Sequence, residues 1–199
     1  SYAAYLDISH PEIEEFLDVR KPTGGDVNRK STNLHHGVMI GDDFMQLIEN
    51  ATRNPGFDDS WPLTDPHSGE VKKVVPAKTL WVKLIQNRVE TGEPYIVFRD
   101  TVDEAVPEFQ QKLGLRVHQS NLCSEITLPT DKDRTAVCCL SRVNLEEYDE
   151  WKNNDLFIPD LVRMLDNVLE HFIQNAPDQL SRASYSAMRE RSIGLGAMG

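Results

Sequence analysis

Strand-like apolar runs alternate along the chain with helical stretches of 3.6-residue periodicity, and turn-rich segments separate them. Together these patterns predict an α/β fold. The 199 residues suit one large domain or two small ones, and they suffice for a sizeable core.

SYAAYLDI opens the chain as a strand. Ser9 and Glu12 make a capping box with Pro11 in the first turn, and Ile13, Phe16 and Leu17 supply the buried stripe of a short helix that runs out near Lys21, Pro22 and the TGGD turn. LHHGVMIG reads as the next strand, closed by an Asp42 or Asp43 cap for the helix FMQLIENATR. From Asn54 to Pro76 the chain is rich in turn residues. DPHSG between two short extended pieces predicts an external hairpin over 54–76, decoration more than core. Leu80, Trp81, Leu84, Ile85 and Val89 form a helical stripe ended by Gly92, and PYIVFRD follows as a buried strand. Asp103 to Gly114 stays ambiguous because Pro107 interrupts any helix. TAVCCLSRV is a strand, Asn144 caps a short acidic helix, and the longest helix holds Leu161, Leu165, Val168, Leu169 and Phe172 on one face. A polar segment then leads to a final strand, IGLGAMG.

With 32 acidic against 21 basic residues the formal charge is −11, which disfavours a duplex-coating or polybasic membrane role and leaves room only for a local basic patch holding a small phosphate. Cys123, Cys138 and Cys139 form no CxxC, and His10, His35, His36, His67, His118 and His171 have no zinc-ligand spacing. A secreted disulfide scaffold and a structural zinc site are therefore disfavoured, and a reducing compartment is expected. No charged n-region with an apolar run opens the chain, and no run of about 18 apolar residues occurs, so neither a signal peptide nor a membrane span is expected. Both ends read as cut: Ser1 leads straight into an apolar strand, and Gly199 stops the chain inside RSIGLGAMG.

The stretch SNLCSEITLPT, 120–130, carries an amide, a thiol and a carboxylate at alternate positions: Asn121, Cys123 and Glu125. In extended backbone these three share one face, with Leu122, Ser124 and Ile126 on the other, so they can converge on one small object. The same spacing also suits an ordinary half-buried strand. Other motifs carry less. Gly194, Gly196 and Gly199 spell GxGxxG, but the dinucleotide fingerprint needs a helix opening after it. His35 and His36 are adjacent, face opposite ways in a strand and suit structural roles better than a shared metal. His118, five residues before Cys123, has flanks that match no cysteine-protease signature.

SNLCSEITLPT followed by TAVCCLSRVNL resembles the active-site region of the class I ribonucleotide reductase large (catalytic, alpha) subunit, in which an N-x-C-x-E loop precedes a strand bearing a second cysteine. YLDISHPEIEEFLDVRKPTGGD, ETGEPYIVFRD and RERSIGLGAMG extend the resemblance, in order, over nearly the whole chain. The resemblance implies an internal piece of the catalytic domain, 1–199, a ten-stranded α/β barrel whose central finger loop, here 120–130, carries the radical cysteine. It implies that Cys123 becomes a thiyl radical that removes the 3′ hydrogen of the ribose. Glu125 would act as base toward the 3′ hydroxyl, and Asn121 would hold the ribose hydroxyls. Cys138 would be one half of the redox-active disulfide, its partner upstream of this chain, and Cys139 a small buried neighbour.

The resemblance further implies no directly bound cofactor or metal, a radical supplied by a metal-containing small (beta) subunit, and ribonucleoside diphosphate as substrate. Thioredoxin or glutaredoxin would be the reductant, and the complete subunit would be an allosteric, cytoplasmic homodimer without membrane or direct nucleic-acid binding. The flanking segments of the large subunit would be needed, so the isolated piece is expected to be inactive. Two alternatives stay open: a non-catalytic structural piece of a split or intein-interrupted subunit, for which Ser1 offers a junction hydroxyl, and a cobalamin-dependent reductase with a related N-x-C-x-E loop.

Overall fold

The computed structural model describes residues 2–199; Ser1, with its expected junction role, lies outside the described residues. The chain divides into two units, Ser1–Thr127 and Leu128–Gly199.

The first unit runs β1 (Ala3–Asp7), α1 (Ile13–Leu17), β2 (His35–Ile40), α2 (Asp42–Arg53), β3 (Ser60–Thr64), β4 (Val71–Pro76), α3 (Ala77–Thr91), β5 (Tyr95–Phe98), α4 (Arg99–Ala105) and α5 (Glu108–Lys112). β1, β2 and β5 form a parallel sheet in that order. Parallel neighbours need crossovers, and the segments holding α1 and then α2 to α3 supply them. β2 is central and apolar, with Val38, Met39 and Ile40 buried, as a strand covered on both faces must be. Ile13, Leu17, Phe44, Ile48, Leu80 and Leu84 from the helices complete one core with Val38 and Ile40.

The hairpin over the expected turn-rich region is not external decoration. β3 and β4 pair antiparallel, and Trp61, Leu63 and Val75 belong to the core. Alternation is the reason: Trp61 and Leu63 point inward while Ser60 and Pro62 point out. Trp61 meets Phe44 edge to face at 5.0 Å and donates its indole N–H to the Ile8 carbonyl at 3.3 Å.

Local capping also differs from expectation. Ser9 gives its N–H and hydroxyl to Asp7 Oδ1 at 2.9 and 2.7 Å, so it does not cap α1. The first N–H of α2 is capped from a distance, Asp42 N donating to Asp100 Oδ2 at 2.7 Å, while Asp43 accepts from Phe44 N. α3 ends at Gly92 in the left-handed region (φ 81°), a conformation open to glycine at little cost. Val89 lies outside the buried stripe, 82% exposed. The ambiguous stretch resolves into α4 and α5, separated where Val106 turns extended ahead of Pro107.

His35 and His36 do meet one partner, the buried Glu93 just ahead of β5. One carboxylate oxygen faces the His35 ring; the other accepts the His36 N–H at 3.0 Å and lies 3.2 Å from His36 Nδ1. Adjacent histidines that point apart are thus tied by two oxygens of a single group. Burial works to raise the Glu93 carboxyl, but the hydrogen bonds from His35 and His36 and the nearby Arg20 outweigh it and hold it below the ordinary range. Burial pushes His36 below its ordinary value, against the pull of Glu93.

The second unit contains β6 (Cys139–Asn144), α6 (Tyr148–Trp151), α7 (Phe157–Asn175), α8 (Ser181–Glu190) and β7 (Ile193–Met198). β6 and β7 pair in parallel. Asn144 Oδ1 accepts from Glu146 N at 3.2 Å and caps the short helical turn after β6. Leu165 and Leu169 are the buried stripe of α7, whereas Val168 is 49% exposed. The expected polar segment before the last strand is mostly α8, whose inner face is built from the small residues Ala183, Ser186 and Ala187. Gly194 and Gly196 stand in register with Leu140 and Arg142 of β6; a Cβ at Gly194 would press on Leu140 Cδ2, and one at Gly196 would displace the end of the Arg142 side chain. Their spacing serves strand packing.

Acid should destabilise the first unit through the Glu93 cluster. Below about pH 6.5 the unfolded chain takes up a proton that buried His36 resists, and below about pH 4.3 the same holds for Glu93, so stability is lost as pH falls through each window. Urea unfolding at pH 7 and about pH 5, above the Glu93 window, should show a smaller acid loss for His36→Gln than for wild type. An equal loss would assign the acid sensitivity to other groups.

Candidate active site

The segment bearing Asn121, Cys123 and Glu125 is a turn within a loop, not an extended run with the three side chains on one face. Asn121 causes the difference. Its Oδ1 accepts the backbone N–H groups of Glu125 and Ile126, both at 3.1 Å, and Ser124 N donates to the Asn121 carbonyl at 3.2 Å. Asx side chains close turns in this way by satisfying backbone donors two or more residues on. Ser124 takes the left-handed conformation, φ 64°, which lets the chain reverse. Ser120, 8% exposed, adds a bond from its hydroxyl to the Ile126 carbonyl at 2.8 Å.

The turn brings the expected functional groups together by another route. Asn121 Nδ2 donates to Glu125 Oε2 at 2.8 Å, and Cys123 sits between them in sequence with its side chain exposed. An amide, a carboxylate and an exposed thiol therefore share one tight loop. Below the loop, Tyr5, Gly37 and Tyr95 stand in register across β1, β2 and β5. The Tyr5 hydroxyl donates to the Asn121 carbonyl at 2.7 Å. Burial raises the Tyr95 hydroxyl above its ordinary value, and the charges of Glu93, Tyr5 and Cys123 add to the effect.

His118 is exposed on the segment leading to the turn. Cys138 and Cys139 are both half-buried, which corrects the expectation that Cys139 is buried. β6 begins only at Cys139, so Cys138 lies at the mouth of the strand and not within it, its Sγ 3.8 Å from the Cys139 carbonyl. No disulfide joins the two. Among the described residues no group of three or more His, Cys, Asp or Glu is placed to hold a metal ion, and no helix is long and apolar enough to cross a membrane.

A family model described as "Ribonucleotide reductase, barrel domain" matches residues 1–199. The chain belongs to this barrel-domain family. A relative from Frog virus 3 (isolate Goorha), provisionally named a ribonucleoside-diphosphate reductase large subunit, is 52% identical over 202 residues, covering 100% of this chain and 34% of its own length. The ribonucleoside-diphosphate reductase large subunit of Invertebrate iridescent virus 3 is 45% identical over 246 residues, covering 100% of this chain and 39% of its own. Among solved structures, the Actinobacillus ureae class Id ribonucleotide reductase alpha subunit superposes with a TM-score of 0.78 at 34% identity, over 99% of this chain and 33% of that one. The chain thus spans about a third of the length of these relatives. The parallel pairing of β1, β2 and β5, and of β6 and β7, fits part of the α/β barrel that the family name describes.

Within the barrel-domain family member described here, three residues at the site escaped sequence-based inference: Tyr5, Gly37 and Tyr95. They are separated from the N-x-C-x-E turn by up to 116 residues, and only strand register aligns them. Tyr5 and Tyr95 each sit in a predicted strand, but nothing in strand periodicity says that two tyrosines flank one glycine.

The left-handed Ser124 gives a direct check on the turn. Glycine there should match or exceed wild-type stability, whereas Ser124→Val should cost about 1–3 kcal/mol, because a β-branched residue tolerates positive φ poorly. Urea unfolding measures both. Equal stability of the two variants would mean that the turn is not held at this backbone conformation.

Proposed function

We propose that this chain is the part of a ribonucleoside-diphosphate reductase large subunit that carries the hydrogen-abstracting thiol, and that it acts in making 2′-deoxyribonucleotides for DNA synthesis. The observation that carries the proposal is the turn itself, which holds the Asn121 amide and the Glu125 carboxylate 2.8 Å apart around an exposed Cys123, in a chain of this family. In this proposal Cys123 is the thiyl, Glu125 the base and Asn121 the ribose-holding amide.

The chemistry asks for these three groups at neighbouring atoms of one sugar. A Cys123 thiyl takes the 3′ hydrogen atom, forming an S–H bond and leaving a carbon radical. Glu125 accepts the 3′ hydroxyl proton, and a thiol of the reducing pair protonates the 2′ hydroxyl, which departs as water. In this proposal the ribose hydroxyls take the place of the Asn121–Glu125 contact, each of the two groups exchanging its present partner for one on the sugar. Closing to a disulfide, the pair supplies two electrons and its second proton, the latter to the 2′ carbon; Glu125 returns its proton to the 3′ oxygen, and Cys123 returns its hydrogen atom to the 3′ carbon, which regenerates the thiyl. Cys138, half-buried at the mouth of β6, is the proposed member of that pair in this chain.

The complete subunit would draw its radical from a metal-containing small subunit, its electrons from thioredoxin or glutaredoxin, and its substrate from ribonucleoside diphosphates in the cytoplasm. It would work as an allosteric homodimer, with the flanking parts of the large subunit required for activity. The three cysteines, with no CxxC among them, suit a reducing compartment.

In the complete subunit, Cys123→Ser should leave folding and nucleotide binding nearly intact while abolishing both deoxynucleotide formation and release of a 3′ isotope label, since forming an oxygen radical means breaking an O–H bond much stronger than S–H. Glu125→Gln should still release the label while slowing or diverting product formation. Appreciable 3′ cleavage by Cys123→Ser would refute the thiyl role.

Cys138→Ser separates abstraction from reduction. A single turnover should survive, and repeated turnover with a dithiol reductant should stop. Sustained turnover at the wild-type rate would move the reductant role away from Cys138.

A further inference from the structure

The N-x-C-x-E turn closes on itself through Asn121, but a turn that only closes on itself has no fixed place relative to the sheet beneath. The Tyr5 hydroxyl supplies a fixed point. It donates to the Asn121 carbonyl at 2.7 Å, across 116 residues of sequence, from the middle of β1. The same carbonyl accepts Ser124 N at 3.2 Å, so the atom that Tyr5 holds is one of those that close the turn.

The Tyr5 ring is itself constrained. It lies across Gly37, its register partner on β2, so closely that a Cβ at Gly37 would collide with Cε1 and Cδ1 of the ring. Glycine weakens a strand interior, and its use in the central strand of this sheet marks a close approach. Here the approach is by an aromatic ring whose far end reaches the turn. Beyond Gly37, Tyr95 occupies the next register position on β5.

We propose that Tyr5 is a positioning residue for the active-site turn: seated on Gly37, it fixes the turn's position through the Asn121 carbonyl, and with it the line from the Cys123 sulfur to the sugar. This inference rests on the function proposed above. Tyr5 takes no part in bond making. Its effect should therefore fall on the geometry of hydrogen abstraction, where a small misplacement is costly, and not on substrate affinity.

The test uses the complete large subunit with its radical-generating partner and reductant, comparing wild type, Tyr5→Phe and, as a hydroxyl-deletion control, Tyr2→Phe, whose side chain is 81% exposed. Tyr5→Phe keeps the ring on Gly37 and removes one hydrogen bond, so the fold should persist, which the thermal midpoint verifies. The expectation is a kcat lowered about tenfold with KM changed by less than about twofold, together with faster amide hydrogen exchange at Glu125 and Ile126, the two donors to Asn121. Tyr2→Phe should match wild type in all three. The inference requires the kcat loss and the faster exchange together. Either without the other, or a rise in KM at constant kcat, overturns it. Cys123→Ser run alongside keeps the two ideas separable: turnover by that variant sinks the proposed function, while the exchange rates still report whether Tyr5 holds the turn.

Discussion

Asn121 does with one side chain what the neighbouring backbone cannot do alone. Between Ser120 and Ile126 the chain reverses without a strand or helix to satisfy its peptide groups, and two of the donors so exposed, on Glu125 and Ile126, are taken by Asn121 Oδ1 at 3.1 Å. The other end of the same amide holds the Glu125 carboxylate. Backbone closure and placement of a functional group are thus one interaction. A substitution at Asn121 would disturb both Glu125 and the presentation of Cys123. Loss of activity at that position is correspondingly hard to interpret without a structural readout.

The sheet under the turn is itself tied together at its edge of entry. β2 lies between β1 and β5 with its apolar residues buried, and Glu93 ties the start of β2 to the approach of β5 through both histidines. A buried carboxylate with paired hydrogen bonds is expensive to open, because any group left behind would lose its partners in a poorly solvated place. Tyr5, Gly37 and Tyr95 cross the sheet in one row, so the surface that meets the turn is set by strand register. A slip of one residue would turn every side chain in the row to the other face.

Much of this was legible in the sequence because it depends on near neighbours. Alternation of strands and helices, the Gly92 stop of α3, the Asn144 cap and the grouping of Asn121, Cys123 and Glu125 all follow from local patterns. What was not legible depends on partners far along the chain. Ser9 forms half of a capping box on paper, yet Asp7, two residues back, takes its hydroxyl, and α2 receives its first cap from Asp100 across the fold. The hairpin looked external because its turn residues dominate the composition, whereas Trp61 and Leu63 on its inner face decide where it packs. α8 was missed because its buried face is made of the small residues Ala183, Ser186 and Ala187, with none of the large apolar side chains that mark the stripes of α3 and α7. Asn121, Cys123 and Glu125 were anticipated on one face of an extended segment, whereas a turn brings them together. A spacing of two suits both a strand face and an Asx-closed turn, so the pattern alone does not choose between them.

Glycine plays the same part in both parallel sheets, and the comparison clarifies why the GxGxxG pattern carries no nucleotide signal here. Gly194 and Gly196 on β7 leave room for Leu140 and Arg142 of β6, just as Gly37 leaves room for Tyr5 of β1. In each case a strand gives up a side chain, with its packing and its restriction of the unfolded chain, so that a large neighbour can lie flat across it. The cost is recovered only if that neighbour contributes more than the missing side chain would. Leu140 and Arg142 remain within their own strand pair. Tyr5 differs in reaching beyond the sheet, with its ring on Gly37 and its hydroxyl on the Asn121 carbonyl, 2.7 Å away. Of the three close approaches, that one alone has a consequence outside the sheet that contains it, and it connects the barrel strand directly to the loop bearing the exposed thiol.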